Sequence, residues 1–258
     1  MTRFPTLLLT IATATILGAC SATSGSPASP TPGASSLNGR TYLSTGAAGV
    51  TLVPGTRVTI TFKDGNLAAN AGCNSMGGAY TLDGNHLKTG QMMTTEMGCA
   101  ALLMTQDQWL TSFLADVTIA LDGAKLTMTH GTIVLTLLDK TVATPNKPLE
   151  GTLWLLDGIA SKGATSSVPQ GVISSIRIVD GKLEVHTGCN SGGGDVNVTA
   201  DSMTFGPLVL SKKACAAGPG AVEGAVTSVL TGTVAYSIDA GVLILNPRGD
   251  GLTYRAAP

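Results

Sequence analysis

The chain has 258 residues, 43% of them hydrophobic and only 12% charged, with a formal net charge of −1. So even a balance leaves no basic stripe to neutralise a run of phosphates, which excludes nucleic acid as an expected partner. The length suits one large β domain or two units of about a hundred residues, each able to bury a core.

Residues 1–20 read as an export signal. Arg3 supplies the positive start, and Leu7 to Leu17 form an apolar run too short to span a bilayer as a mature helix. The stretch ends in Leu17-Gly18-Ala19-Cys20, which resembles the bacterial lipobox; that resemblance implies thioether lipidation of Cys20 and cleavage just before it. The alternative is an ordinary signal peptide with a chance cysteine. Several acyl chains on one residue anchor a protein stably where a single chain does not. Residues 21–36 are rich in Ser, Pro and Gly, with no charge and no large apolar side chain, so they read as a flexible tether.

A first domain is expected over 37–140. Val58, Ile60 and Phe62 alternate with Thr59 and Thr61, and Asp64-Gly65 then turns the chain toward Leu67, which predicts a β-hairpin with one buried face. Gly72, Gly77 and Gly78 around Cys73-Asn74 predict a bulge or a close backbone approach before a strand from Ala79 to Leu82. A turn at Asp83-Gly84 leads into a strand beginning at His86. From Thr105 to Leu114 the period changes: Thr105 and Gln108 resemble a capping box, and Leu110, Phe113 and Leu114 share a helical face. Strands follow at Val117 to Leu121, Lys125 to Thr129 and Thr132 to Leu138.

Residues 141–148 carry two prolines and no apolar periodicity, and read as a linker. The second domain, 149–258, repeats the first. Gly72-Cys73-Asn74-Ser75 recurs as Gly188-Cys189-Asn190-Ser191, an offset of 116, and Leu37 to Tyr42 lies over Leu149 to Trp154 at an offset of 112. Self-similarity of this kind marks a duplicated domain. A helix is expected after Pro219, with Val222, Val226, Val229 and Leu230 on one face, then strands at Thr233 to Ile238, Val242 to Asn246 and Leu252 to Arg255. Each copy has a second cysteine 26 positions after the first. Four cysteines in an exported chain suggest disulfides, and the duplication selects Cys73 with Cys99 and Cys189 with Cys215. In the loop-entropy model each is worth about 3.5 kcal/mol. Metal binding or redox catalysis is the rival reading, disfavoured because no CxxC is present and the three histidines do not recur.

The Gly-Cys-Asn motif, the glycines and strand after it, the polar stretch ending in Cys and the helix resemble the META or HslJ-like domain in both copies. Tyr42 and Trp154 stand where the family has an aromatic residue near the start. Thr94 to Cys99 matches its "T.M.C" run, which Leu210 to Cys215 follows only loosely. The resemblance implies a mainly β fold: two tandem compact antiparallel β-barrel-like domains, each with one short α-helix. It also implies links to heat-shock response, drug tolerance and secretion or motility, and supplies no catalytic residues.

Candidate chemistry is sparse. Asn74 and Asn190 have amides suited to a ligand or an oxyanion, but Asn beside Gly and Cys reads first as a turn residue bonding its own backbone. Ser75 and Ser191 recur outside any GxSxG, with no histidine or carboxylate recurring at a fixed distance to complete a triad. Asp64 and Asp180 recur at hairpin tips. Tyr42, Trp109, Trp154, Met92, Met93 and Met97 read as core or core-edge residues. Neither a metal site nor a cofactor is expected. The functional expectation is a non-enzymatic lipoprotein on the extracytoplasmic side of a bacterial membrane, held by Cys20 and acting as a binding or stress-related module toward an envelope protein. The alternative is a carrier of a small apolar ligand in the barrel interior; an envelope hydrolase ranks third.

Overall fold

The computed structural model describes residues 34–246 and 249–258; the export signal, Cys20 and most of the tether lie outside them. The first half contains α1 (Ala34–Leu37), β1 (Thr41–Ala48), β2 (Thr59–Lys63), β3 (Asn66–Asn70), β4 (Ser75–Asp83), β5 (His86–Thr89), β6 (Met93–Thr94), α2 (Ala101–Leu114), β7 (Asp116–Asp122), β8 (Lys125–His130) and β9 (Ile133–Asp139). After α3 (Lys140–Ala143), the second half contains β10 (Trp154–Ser161), β11 (Ala164–Ser167), β12 (Ser175–Val179), β13 (Lys182–His186), β14 (Ser191–Val198), β15 (Ser202–Phe205), β16 (Val209–Leu210), α4 (Ala217–Val229), β17 (Gly232–Asp239), β18 (Val242–Leu245) and β19 (Gly251–Ala256).

Each half closes into an antiparallel barrel. In the first, the order β3-β2-β1-β9-β8-β7-β5-β4 is closed by pairing of β3 with β4, and β6 lies outside on β4. In the second, β10 to β19 closes in the same way through the β10–β19 pair, with β16 on β14 and β11 added on β10. Closure removes the free edges that an open sheet leaves to other chains. Both barrels bend at one matched place: the first strand shifts register against the last between Ser44 and Gly46, and again between Leu156 and Gly158. A bulge there supplies the local twist that closure needs.

The hairpin tips follow from the sequence. Asp64 and Gly65 have φ of 50° and 76°, and Asp180 and Gly181 have 50° and 70°. Two successive positive φ values define the tight turn matched to strand twist, which Asp-Gly tolerates. The barrel interiors are filled by side chains. Tyr42, Phe62 and Tyr80 stack edge to face in the first, centroids 6.0 and 5.3 Å apart, among Ile60, Leu67, Met128 and Leu137. In the second, buried Trp154 donates its indole N–H to the Leu149 carbonyl at 3.1 Å.

Each barrel carries one longer helix, as expected, and α1 and α3 are additional four-residue helical turns. Three boundaries are corrected here. Asp139 caps α3, accepting from the Thr141 N–H at 2.9 Å, so helix enters the stretch read as linker. Residues 146 and 147 then tie to the β17–β18 turn, Asn146 Oδ1 accepting from the Ala240 N–H at 2.7 Å. The helix read from Thr105 begins at Ala101, capped at Ala100 without any side-chain bond, so Thr105 is no cap. The strand placed at Ala79 to Leu82 begins at Ser75, so Gly77 and Gly78 lie within it; the close approach is real, since a Cβ on Gly78 would sit 2.8 Å from the Gln91 carbonyl oxygen.

Candidate functional site

The repeated Gly-Cys-Asn segment joins β3 to β4 and β13 to β14, against the flank of α2 or α4. The structure pairs Cys73 with Cys99, Cα atoms 6.2 Å apart, and Cys189 with Cys215 at 5.8 Å. Each disulfide fastens the segment before the helix to the barrel wall.

Asn74 is 6% exposed and Asn190 3%, and neither amide bonds its own backbone. Asn74 Oδ1 accepts from the Met97 N–H at 2.8 Å and the Thr95 hydroxyl at 3.0 Å; its Nδ2 donates to Asp107 Oδ2 at 3.2 Å. Its backbone N–H donates to the same Oδ2 at 2.8 Å. Asn190 repeats the pattern, Oδ1 accepting from the Lys213 N–H at 2.8 Å and the Ser211 hydroxyl at 2.7 Å. Its Nδ2 donates to Glu223 Oε1 at 3.1 Å and its N–H to Glu223 Oε2 at 3.0 Å. The turn reading of both asparagines is therefore replaced by a buried hub joining barrel, loop and helix, because the helical carboxylate takes donors from both the amide and its backbone.

Asp107 and Glu223 correct a second reading. They recur at the same offset of 116, so a carboxylate does stand at a fixed distance from the repeated motif. Identity matching passes over them because one is a methylene longer than the other. Their oxygens bind the asparagines rather than Ser75 or Ser191, which are exposed and open β4 and β14. The Ser75 N–H donates to Thr95 Oγ1 at 3.1 Å and the Ser191 N–H to Ser211 Oγ at 3.2 Å, holding the loop in place.

Cys189, Cys215 and Glu223 present donor atoms within 4.8 Å of one another. Both sulfurs are spent in the disulfide, leaving no thiolate to ligate a cation. The hydroxyl of Thr187 and the donors of Asn190 stabilise the Glu223 anion and hold its carboxyl below the ordinary value of 4.5. A depressed carboxylate stabilises the fold above its unfolded pKa, and that contribution is lost as pH falls through the lowered folded value. Glu223→Gln is therefore expected to flatten the acid limb of the second barrel's stability, read as urea midpoints across the acid range, while leaving the first barrel's limb unchanged.

Beside the first hub, the loop from β5 to α2 and the flank of α2 enclose a groove of about 740 Å3, lined among others by Asn74, Met92, Glu96, Met97, Met104 and Asp107. The second barrel has a smaller groove of about 420 Å3, in which Leu208, Leu210 and Thr227 take the places of Met92, Thr94 and Thr111. Met92 packs on the core, as do Trp109, Tyr42 and Trp154. Met93 and Met97 do not: they are 81% and 54% exposed. Met93 sits on β6, which among the described residues pairs with β4 alone.

A family model described as META domain matches residues 35–141 and 147–258. No curated protein matches the chain. Among solved structures it is similar to a protein from Burkholderia xenovorans determined by NMR, at 25% identity over 42% of this chain and 83% of that one, with a TM-score of 0.37. A second NMR structure is 20% identical over 42% of this chain and 94% of its own, with a TM-score of 0.36.

Proposed function

The chain belongs to the META domain family in both halves, and on that premise we propose that it is a non-enzymatic binding module of the HslJ-like, stress-related kind, held at a bacterial envelope membrane through Cys20. The groove of the first barrel carries this reading. It is an open concavity of mixed polar and methionine side chains beside a hub in which the cysteines are joined and the asparagine is fully engaged, so it offers surface for contact and no activated nucleophile. Adaptable thioether side chains on such a surface suit binding of varied shapes.

The interior-carrier reading has one observation in its favour: the hydroxyls of Tyr42 and Tyr254 are buried without a hydrogen-bond partner. Against it, the interior is occupied by close-packed side chains such as Trp154, Phe62, Leu67 and Leu243, and a ligand would have to displace them.

Two linked measurements test the proposal in the exporting cell. A photo-crosslinking residue at Gln108, in the groove, is expected to give a defined adduct that the same residue at Lys125, on β8, does not give. Cys20→Ala is expected to move the chain from the detergent phase to the aqueous phase. Equal labelling at both positions would remove the groove as a contact surface, and unchanged partitioning would remove the lipid anchor.

A further inference from the structure

The two hubs differ in how the helical carboxylate is satisfied, and in Thr187, whose counterpart is Ala71. Glu223 uses both oxygens, Oε2 accepting from Thr187 and the Asn190 N–H and Oε1 from the Asn190 amide. Asp107 uses only Oδ2; its Oδ1 is buried with no hydrogen-bond partner, in a residue 4% exposed. No ion pair among the described residues involves it. A buried carboxylate oxygen without a donor is unfavourable, and the second barrel shows that the same fold can satisfy both oxygens.

Asp107 lines the 740 Å3 groove, whose lining includes the carboxylate of Glu96 and no Lys, Arg or His. Met92, Met97 and Met104 supply its apolar surface, among hydroxyl and amide side chains such as Thr94, Gln108 and Thr111. The duplication acts as an internal control: Met92, Met97 and Met104 align with Leu208, Lys213 and Gly220, so the fold itself does not demand methionine at 97 or 104. The groove thus combines carboxylates and no cation with a patch of three methionines, in a volume that takes a small organic ligand.

We propose that this groove binds a small organic ammonium ion with an apolar body, its N–H groups donating to Asp107 Oδ1 and its body lying against Met92, Met97 and Met104. The proposal rests on the binding-module reading above and names the ligand class for the same groove. Oδ1 is shielded from solvent, so side chains of the groove must move to admit the ion, and its methionines, unbranched with three rotatable bonds, are suited to that. The bond formed is charge-assisted, and it meets an oxygen that no protein donor claims, the condition under which a buried pair is favourable. The second barrel has a saturated Glu223 and a lysine at the Met97 position, and does not bind the same ion.

The test is an NMR titration of the full chain labelled on its methionine methyl groups, using octylammonium, octanol and octanoate below their micelle-forming concentrations. Octylammonium is expected to shift the methyls of Met92, Met97 and Met104 and to leave Met203, in the second barrel, unmoved. Its affinity should exceed that of octanol by about tenfold to hundredfold, the worth of one charge-assisted hydrogen bond, with octanoate weaker than either. Asp107→Asn should reduce octylammonium to the level of octanol. Because Asp107 also anchors Asn74, that variant risks the fold; Met97→Lys does not, since Lys213 already occupies the aligned position, and it should abolish the preference by placing a cation in the groove. Equal binding of the three probes, a preference that survives Met97→Lys, or no methyl shift with octylammonium would each overturn the proposal. A crosslinked adduct at Gln108 together with equal probe affinities would leave the binding module standing without its cation site.

Discussion

Asn74→Asp is expected to destabilise the first barrel by up to about 5 kcal/mol at neutral pH, the repulsion of two unit charges at the 3.2 Å between Asn74 Nδ2 and Asp107 Oδ2 with an effective dielectric near 20. The change preserves shape and replaces a donor by an acceptor where the structure needs a donor. The bonds from Met97 and Thr95 to Oδ1 survive it, and of the atoms facing Nδ2, which include the Met97 carbonyl and Cys73 Sγ, only Asp107 carries a charge. Two carboxylates this close cannot both ionise, and the pair's folded pKa rises. Its sign is thus opposite to that at Glu223: the penalty is complete above the raised folded value, shrinks as pH falls, and is gone once both carboxyls are protonated in the unfolded chain as well. Asn74→Ala should instead lower stability by about 3 kcal/mol, leaving the Met97 N–H and Asp107 short of partners, without recovery on acidification. Hydrogen exchange of β3 and β4, with β13 and β14 as reference in the same molecule, reads both variants. If Asn74→Asp and Asn74→Ala matched at every pH, the amide nitrogen would not face Asp107.

The fold was legible where side chains alternate and turns have chemistry. Ile60 and Phe62 point inward from β2 and are fully buried, and the Asp-Gly tips turn as their backbone angles require. It was illegible where glycine erases the alternation, because Gly77-Gly78 in β4 and Gly192 to Gly194 in β14 lack Cβ atoms and leave the first half of each strand with no period to read. The start of α2 was missed for a related reason. Its first turn is Ala101, Leu102, Leu103 and Met104, with no capping side chain before it, and the only polar signal lies further along, at Thr105.

The candidate site was half legible. Repetition exposed the cysteines and asparagines because they are identical in both copies. It hid the carboxylates that organise them, because Asp107 and Glu223 differ in length while serving one role. Hydrophobicity also misplaced Met93 and Met97: Met93 lies on a two-residue strand that pairs with β4, and Met97 in the loop that leads to α2, and both side chains stand exposed. Exposure there depends on what fails to cover β6, and nothing in the local sequence records that.

Gly193→Ala is expected to destabilise the second barrel by about 4 kcal/mol or more, in the range reserved for steric or cavity defects in a core, while Gly77→Ala at the aligned position should cost about 1 kcal/mol or less. A Cβ on Gly193 would lie 2.1 Å from the Leu183 carbonyl oxygen, an atom of the neighbouring strand that cannot rotate away; on Gly77 the nearest atom is the Leu67 carbonyl oxygen at 3.4 Å. The pairing is equivalent, Glu184 with Gly193 and Ala68 with Gly77, so register does not explain the difference. Crowding does. In the second barrel β14 is pressed from both sides, since a Cβ on Gly192 would fall on the Val209 carbonyl and one on Gly194 would sit 2.7 Å from that of Pro207. Relief of the clash would have to part β13 from β14 and expose Leu183 and Val185, both buried in the core. Trp109→Phe leaves Trp154 as the sole tryptophan, and its emission then follows the second barrel alone through urea unfolding. Equal tolerance of alanine at 77 and 193 would mean that β13 and β14 stand further apart than the structure has them, and that the Gly192 to Gly194 triplet is not what lets β16 lie so close.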